Sequence, residues 1–312
     1  MLKYFPFGQE ADLKMGTLLL KENESLFEVD EHYLSEIEEK EKLLKEDFDY
    51  YFEGNKTTEI YQWDVLELVC KNLSKFYPEQ FTLKIEGDTW TFDNKITQKT
   101  QQFVFGDCAT LPLAPLDWAG RQVQEDLVVL CNDGSHRLIA GQICFANGWS
   151  LRSKFDQNFL AIHGPTPFAV TPTINAAQKL MERITVDKSI WRMSWNMKIR
   201  NQLDFSSKYS EWYNDLLRQE ASTFDESNIA KNVFIRIEKQ TVTRLPRSGG
   251  LLFGLHTHQS SVFEECQNME RAKCLFGVLK TTPRELLDYK AVTPFEEVLL
   301  SYLKQKINGW NE

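Results

Sequence analysis

No two of the six cysteines (Cys70, Cys108, Cys131, Cys144, Cys266 and Cys274) stand at C-x-x-C spacing. This excludes the usual signatures of a zinc ribbon, an iron–sulfur cluster or a thioredoxin-type pair, and predicts reduced, mostly buried thiols in a cytoplasmic protein. No uninterrupted apolar run approaches the ~18 residues of a spanning helix, so no membrane partner is expected. The opening MLKYFPFGQEADLK lacks the basic start and apolar core of a secretory signal. The sequons at Asn23, Asn55 and Asn72 therefore carry little weight. Positive charge is in deficit, with 36 Lys and Arg against 45 Asp and Glu and a net charge of -9. A nucleic-acid partner would call for a basic face, so none is expected. No GxGxxG, GxxxxGK[ST] or GxSxG stretch occurs, which leaves a dinucleotide fold, a P-loop and a serine hydrolase without support. Internal repeats and low-complexity tracts are also lacking.

The 312 residues are 42% hydrophobic, with a mean hydropathy of -0.41, which suits one large domain with a substantial core. Aromatics reach 12%, including 8 Trp and 21 Phe, and they could fill that core or line a pocket.

The chain divides by periodicity. Residues 1–29 have no period and read as an arm. Asp30 can cap a charged helix over 31–47 whose thin stripe is Leu34, Ile37 and Leu44; its charge run reads as a solvated face. Ile60, Trp63, Leu66, Val69, Cys70, Leu73 and Phe76 recur at three and four, which predicts a helix over 58–76 that Pro78 stops. The period then changes to two around Glu86-Gly87-Asp88, a hairpin. Residues 94–120 read as an irregular link. Val123–Cys131 and His136–Phe145 flank Asn132-Asp133-Gly134-Ser135, a strong hairpin signal. Phe159–His163 reads as a third strand, broken by Gly-Pro-Thr-Pro. Ile174–Ile184 is a short amphipathic helix, 190–205 resists assignment, and 207–221 is helical. Val233–Leu245 reads as a strand that puts Arg236, Glu238, Gln240, Val242 and Arg244 on one face. Leu251–His256 is another strand. Thr282-Pro283-Arg284-Glu285 and Thr293-Pro294-Phe295-Glu296 look like two capped helix starts. Helices before and after hairpins make an α+β fold with an antiparallel sheet.

Few side chains stand out chemically. His163 ends its apolar run and is either an iron ligand or catalytic group, or an imidazole bonded to loop backbone. His256 and His258 share a strand face at a metal-ligand spacing, though no acidic or cysteine partner is recognisable beside them. Glu125-Asp126 lies in an apolar strand, so one carboxylate is expected inside, paired with Arg236 or Arg244 or shifted in pKa. Arg236, Lys239, Arg244 and Arg247 could clamp an anionic group or make ordinary surface pairs. Trp149, Trp191 and Trp195 could wall a flat ligand. His32 and His136 are expected to be exposed.

Seven stretches taken together resemble a known family. They are MGTLLL, LSKFYPEQF, VQEDLVVL, AGQICFANGWSLRSKF, LAIHGPTPF, Arg192-x-x-Trp195 and RIEKQTVTRLPRSGGLLFGLHTH. In this order, across nearly the whole chain, they resemble the haem-dependent oxidative N-demethylase alpha-subunit-like family. The resemblance implies one domain over 1–312, with a helical N-terminal arm (1–80), a PAS-like β core (81–265) and C-terminal helices (266–312). It implies a b-type haem and, with dioxygen, demethylation of a small secondary amine such as dimethylamine. Electrons would come from a separate NAD(P)H–flavin–iron–sulfur reductase, since this chain shows no flavin loop and no cluster spacing. It makes His163 the proximal iron ligand and Arg192, Arg236 and Arg244 the propionate partners, with Trp149 and Trp195 as pocket walls. Glu125 would face the cationic amine. His256 and His258 depart from the basic and aromatic residues expected there, and make His258 a rival ligand. A non-catalytic PAS-like module that senses a small molecule is the other function the same sequence allows.

Overall fold

β-branched and aromatic runs pair into strands here, and the strict alternation of a strand then decides which layer each side chain meets. The computed structural model describes residues 1–14, 16–164, 166–167 and 171–309. Among them the strands are β1 (Leu18–Leu19), β2 (Phe52–Glu53), β3 (Phe81–Glu86), β4 (Thr89–Asn94), β5 (Lys99–Val104), β6 (Asp126–Leu130), β7 (Leu138–Gln142), β8 (Ile190–Lys198), β9 (Phe234–Arg244) and β10 (Leu251–Ser261). Seven of them form one antiparallel sheet in the order β1-β8-β9-β10-β6-β7-β2, and β3-β4-β5 form a small second sheet. Helices pack on both faces, so the α+β class stands.

Registers define the two faces of the large sheet. Arg192 stands opposite Gln240, Ser194 opposite Glu238, and Leu255 opposite both Gln240 and Asp126. These residues share the first face with Val128, Val242 and Leu251, which pack against Leu151, Phe159 and Met181. The second face carries Trp191, Trp195, Lys239, Thr241, His256 and His258. Two larger cores cover that face. One joins the helices Tyr33–Glu46 and Glu59–Phe76 and the small sheet to Leu127 and Val129. The other joins the N-terminal arm and the helices Met269–Thr281 and Glu296–Asn308 to Met197, Ile235 and Ile237.

Several expectations need correction. Residues 94–120 are not an irregular link: they hold β5 and the helix Pro115–Gly120, and Trp118 of that helix meets Phe92 edge-on at 5.6 Å. The unassigned 190–205 contains β8, whose mixed polarity follows from having one wall in a core and one on a half-open face. Phe159–Ile162 is a helical turn instead of a strand. Asn158 accepts the Ala161 N–H at its start, and four apolar residues fit either form. Thr282 does not cap the helix Arg284–Tyr289; its hydroxyl donates back to the Val278 carbonyl of the preceding helix. Ile60 and Leu34 face solvent, whereas Glu36 and Lys40 of the supposed solvated face are buried. Lys40 donates to the carbonyls of Gly120, Val123 and Glu125 at 2.7–3.0 Å, and so fixes the chain that enters β6. His136 is also buried.

Candidate functional site

The first face offers a half-open apolar wall. Trp149, Phe155, Ile162, Ile174, Phe253 and Leu255 are only partly buried against the core beneath them. His163 closes the turn Phe159–Ile162, beside this wall. Its Nδ1 lies 2.8 Å from the Phe159 carbonyl, which accepts the ring N–H and leaves Nε2 as the free lone-pair nitrogen. Burial pushes the imidazole below its ordinary pKa, and the charges of Arg192 and Lys154 push it the same way. It is therefore neutral at pH 7, the form that ligates a metal. The expected strand end is absent, but the outcome for the side chain is similar: its ring orientation is set by backbone. Pro165 and Phe168 of the same motif lie outside the described residues.

Arg192 projects from β8 onto this wall. Its Nε is buried, and its guanidinium has no hydrogen-bond partner among the described residues. Burial lowers its pKa, against the pull of Glu238. A buried N–H left unbonded is costly, and an anionic group beside Nε would complete it. Glu238 and Gln240 on β9 lie alongside, joined by a 3.2 Å hydrogen bond.

The other expected residues separate. Arg236 and Arg244 do share the face of Glu238, as the alternation predicted, but both are committed to backbone. Arg236 donates to the Leu203 and Phe145 carbonyls at 2.7 and 2.5 Å. Arg244 uses Nε, Nη1 and Nη2 on the carbonyls of Ile184, Gly249 and Met181. They lock loops through these contacts; the Nε of Arg236 is buried and unpartnered like that of Arg192, but Arg192 has no hydrogen bond from its Nη groups among the described residues either. Trp149 lies on the first face, but Trp195 lies on the second, packed against Phe7 at 5.4 Å with Lys290 over its ring at 4.2 Å.

Glu125 and Asp126 are both buried, each 1% exposed, and point to opposite faces. Neither pairs with Arg244. Asp126 accepts the N–H groups of Cys144 and Phe145 at 2.8 and 2.7 Å, and burial lifts its pKa to about 6. Glu125 joins His256 and His258 on the second face. No local pattern announces what meets them there: Glu28, Asp30 and Glu36, brought in by the arm and the first long helix. His256 Nδ1 stands 3.5 Å from both Glu28 and Glu125, and its Nε2 stands 3.7 Å from Glu36. Burial alone would lower this imidazole, and the surrounding carboxylates, Glu28 first, raise it to about 10. Contacts between residues more than 200 positions apart leave no trace in local spacing.

The large sheet thus separates a half-open apolar face with one neutral histidine and one orphaned arginine from a closed, carboxylate-rich face. No described helix is long and apolar enough to cross a membrane. The family described as haem-dependent oxidative N-demethylase, alpha subunit-like, matches residues 19–300 of the 312, and the chain belongs to that family.

Proposed function

We propose that this chain binds a b-type haem on the first face of its large sheet, in a PAS-like cradle, and serves as the oxygen-reacting component that demethylates a small secondary amine. The single observation that carries this reading is the presence on one face of an oriented, neutral His163 and of Arg192, whose buried Nε has no hydrogen-bond partner among the described residues. The residues fit the group. His163 would hold the iron through Nε2, with Nδ1–H held by the Phe159 carbonyl as an outer support. Arg192 would pair a propionate, and the half-open apolar wall would take the ring's faces. When bound, haem supplies the oxidation chemistry, while the protein supplies position and polarity.

Glu238 replaces Glu125 as the carboxylate for the amine in this reading. Glu125 lies behind the sheet, whereas Glu238 shares the face of Arg192 and its charge acts on Arg192, Lys198 and Lys290. A methylammonium entering an apolar pocket needs such a counter-charge. The separate NAD(P)H-linked reductase is part of the same proposal.

The experiment is spectroscopic and kinetic together. Protein from haem-replete cells should show a Soret band, and His163→Ala should lose it. With a surrogate electron donor, dimethylamine should stimulate oxygen uptake and release formaldehyde. Glu238→Gln should raise KM about tenfold or more, the loss of one charged contact. Haem-free protein that also fails to take up hemin would overturn the proposal. A haem protein that turns over no methylamine would leave a sensor in its place.

A further inference from the structure

The closed face holds side chains that the haem reading does not use. Glu28 Oε2 lies 3.2 Å from His258 Nε2 and 3.5 Å from His256 Nδ1. One ligand atom from each of these three residues falls within 4.8 Å of the others. Ligands held ~2.0–2.1 Å from a tetrahedral metal stand about 3.3 Å apart, so the two carboxylate–imidazole separations have the size of tetrahedral edges. Neither ring nitrogen of His256 has a hydrogen-bond partner among the described residues, although the residue is 1% exposed, and Glu125 Oε2 beside it is likewise buried and unpartnered.

The outward nitrogens are arranged just as consistently. His256 Nε2 faces Glu36 Oε2 at 3.7 Å and Asp30 Oδ2 at 3.8 Å, and His258 Nδ1 faces the same Asp30 oxygen at 3.8 Å. Metal-ligating imidazoles donate their second nitrogen to such a carboxylate, and these contacts would have to close by about 0.7 Å to become hydrogen bonds of that kind. Glu28 Oε1 is held from outside by Lys3 at 2.7 Å, Tyr4 at 2.5 Å and Lys239 at 3.3 Å, while Oε2 faces the centre and is hydrogen-bonded to His258 Nε2, a contact that a metal would replace. Four carboxylates against two ammonium groups leave two negative charges to be met at this centre, in part by a protonated His256 or in full by one divalent cation.

We infer that Glu28, His256 and His258 bind a divalent first-row transition metal, with Glu125, 3.5 Å from His256 Nδ1, as a candidate for a fourth ligand. The site is structural. Two imidazoles and hard carboxylate oxygen suit zinc and its neighbours, and the enclosed position matches a closed site. The metal would staple the N-terminal arm, through Glu28, to β10. Such a link gains stability because its ligands are more than 200 residues apart. It lies on the sheet face opposite His163 and does not depend on haem.

The test uses the full-length chain without a polyhistidine tag, purified and analysed for metals, with haem iron counted separately by its spectrum. About one equivalent of zinc, manganese, cobalt or non-haem iron is expected. Chelation should lower the melting temperature, and Co2+ added back should give the visible absorption of a four-coordinate site. That absorption should persist in His163→Ala, which separates this site from the haem proposal, and should vanish in His258→Gln and Glu28→Gln. Should those variants fail to fold, equilibrium dialysis of the wild-type protein against Zn2+ and Co2+ decides. Less than about a tenth of an equivalent bound, with no change in melting temperature, would overturn the inference.

Discussion

Lys198 shows how burial sets the behaviour of one residue. Its Nζ lies 4.5 Å from the Tyr213 ring centre and 4.9 Å from that of Phe205. Burial lowers its pKa to about 7, and the Arg236 charge works in the same direction. An unfolded lysine keeps its proton to about 10.4. Between these values the unfolded chain binds more protons, so this residue makes stability rise with pH; below about 7 the full cost of a buried ammonium is present. Lys198→Met should therefore stabilise the fold by about 1–3 kcal/mol at pH 6, with the gain shrinking towards pH 10. Melting curves across that range check this, and a gain independent of pH would remove the explanation. The sequence shows Lys198 as one more charge in an unreadable stretch. Only the packing of Phe205 and Tyr213 over it makes it unusual.

At the scale of elements, the arm and the helix Met269–Thr281 define each other at Gly277. A Cβ there would stand 2.0 Å from the Gln9 carbonyl oxygen, and backbone cannot swing aside as a flexible side chain would. Nearby the Ala11 N–H donates to Thr281 Oγ1 at 2.8 Å. In an isolated helix Gly→Ala gains about 1 kcal/mol. Here Gly277→Ala should instead cost about 1–3 kcal/mol and expose the arm around residues 8–14 to protease. An unchanged melting temperature and an intact arm would refute the steric account. The helix over 58–76 was legible because its apolar residues recur at three and four, although burial extends all round it over residues 62–67. The hairpin at 126–142 was legible because its turn residues are diagnostic. β8 was not, since one of its faces packs against aromatics and the other is half open, which gives no clean alternation. At the candidate site, His163 and Arg192 were visible as residue types in matching words. That Glu125 and Trp195 lie behind the sheet was not, because strand parity across β8, β9 and β6 is fixed only when the registers are.

For the whole molecule, the consequence of two segregated faces is that ligands on them report on different segments. Haem on the first face should stabilise the fold by mass action, by about 4 kcal/mol at a thousandfold excess over Kd. The protection should be uneven. The wall over that face is built from short pieces, the turn Phe159–Ile162 and the helix Thr171–Met181, whose described side chains are mostly half-buried or exposed. Such segments open locally at low cost, so a ligand beneath them closes them first. Hydrogen exchange with and without hemin should therefore slow in peptides covering 155–164 and 171–181. The arm around Glu28 should exchange at an unchanged rate, because Tyr4, Lys3 and Lys239 already enclose it from the other side of the sheet. Equal slowing in both regions would mean that the faces are coupled. Slowing in the arm alone would move the haem to the wrong side of the sheet and put His258 in the place of His163.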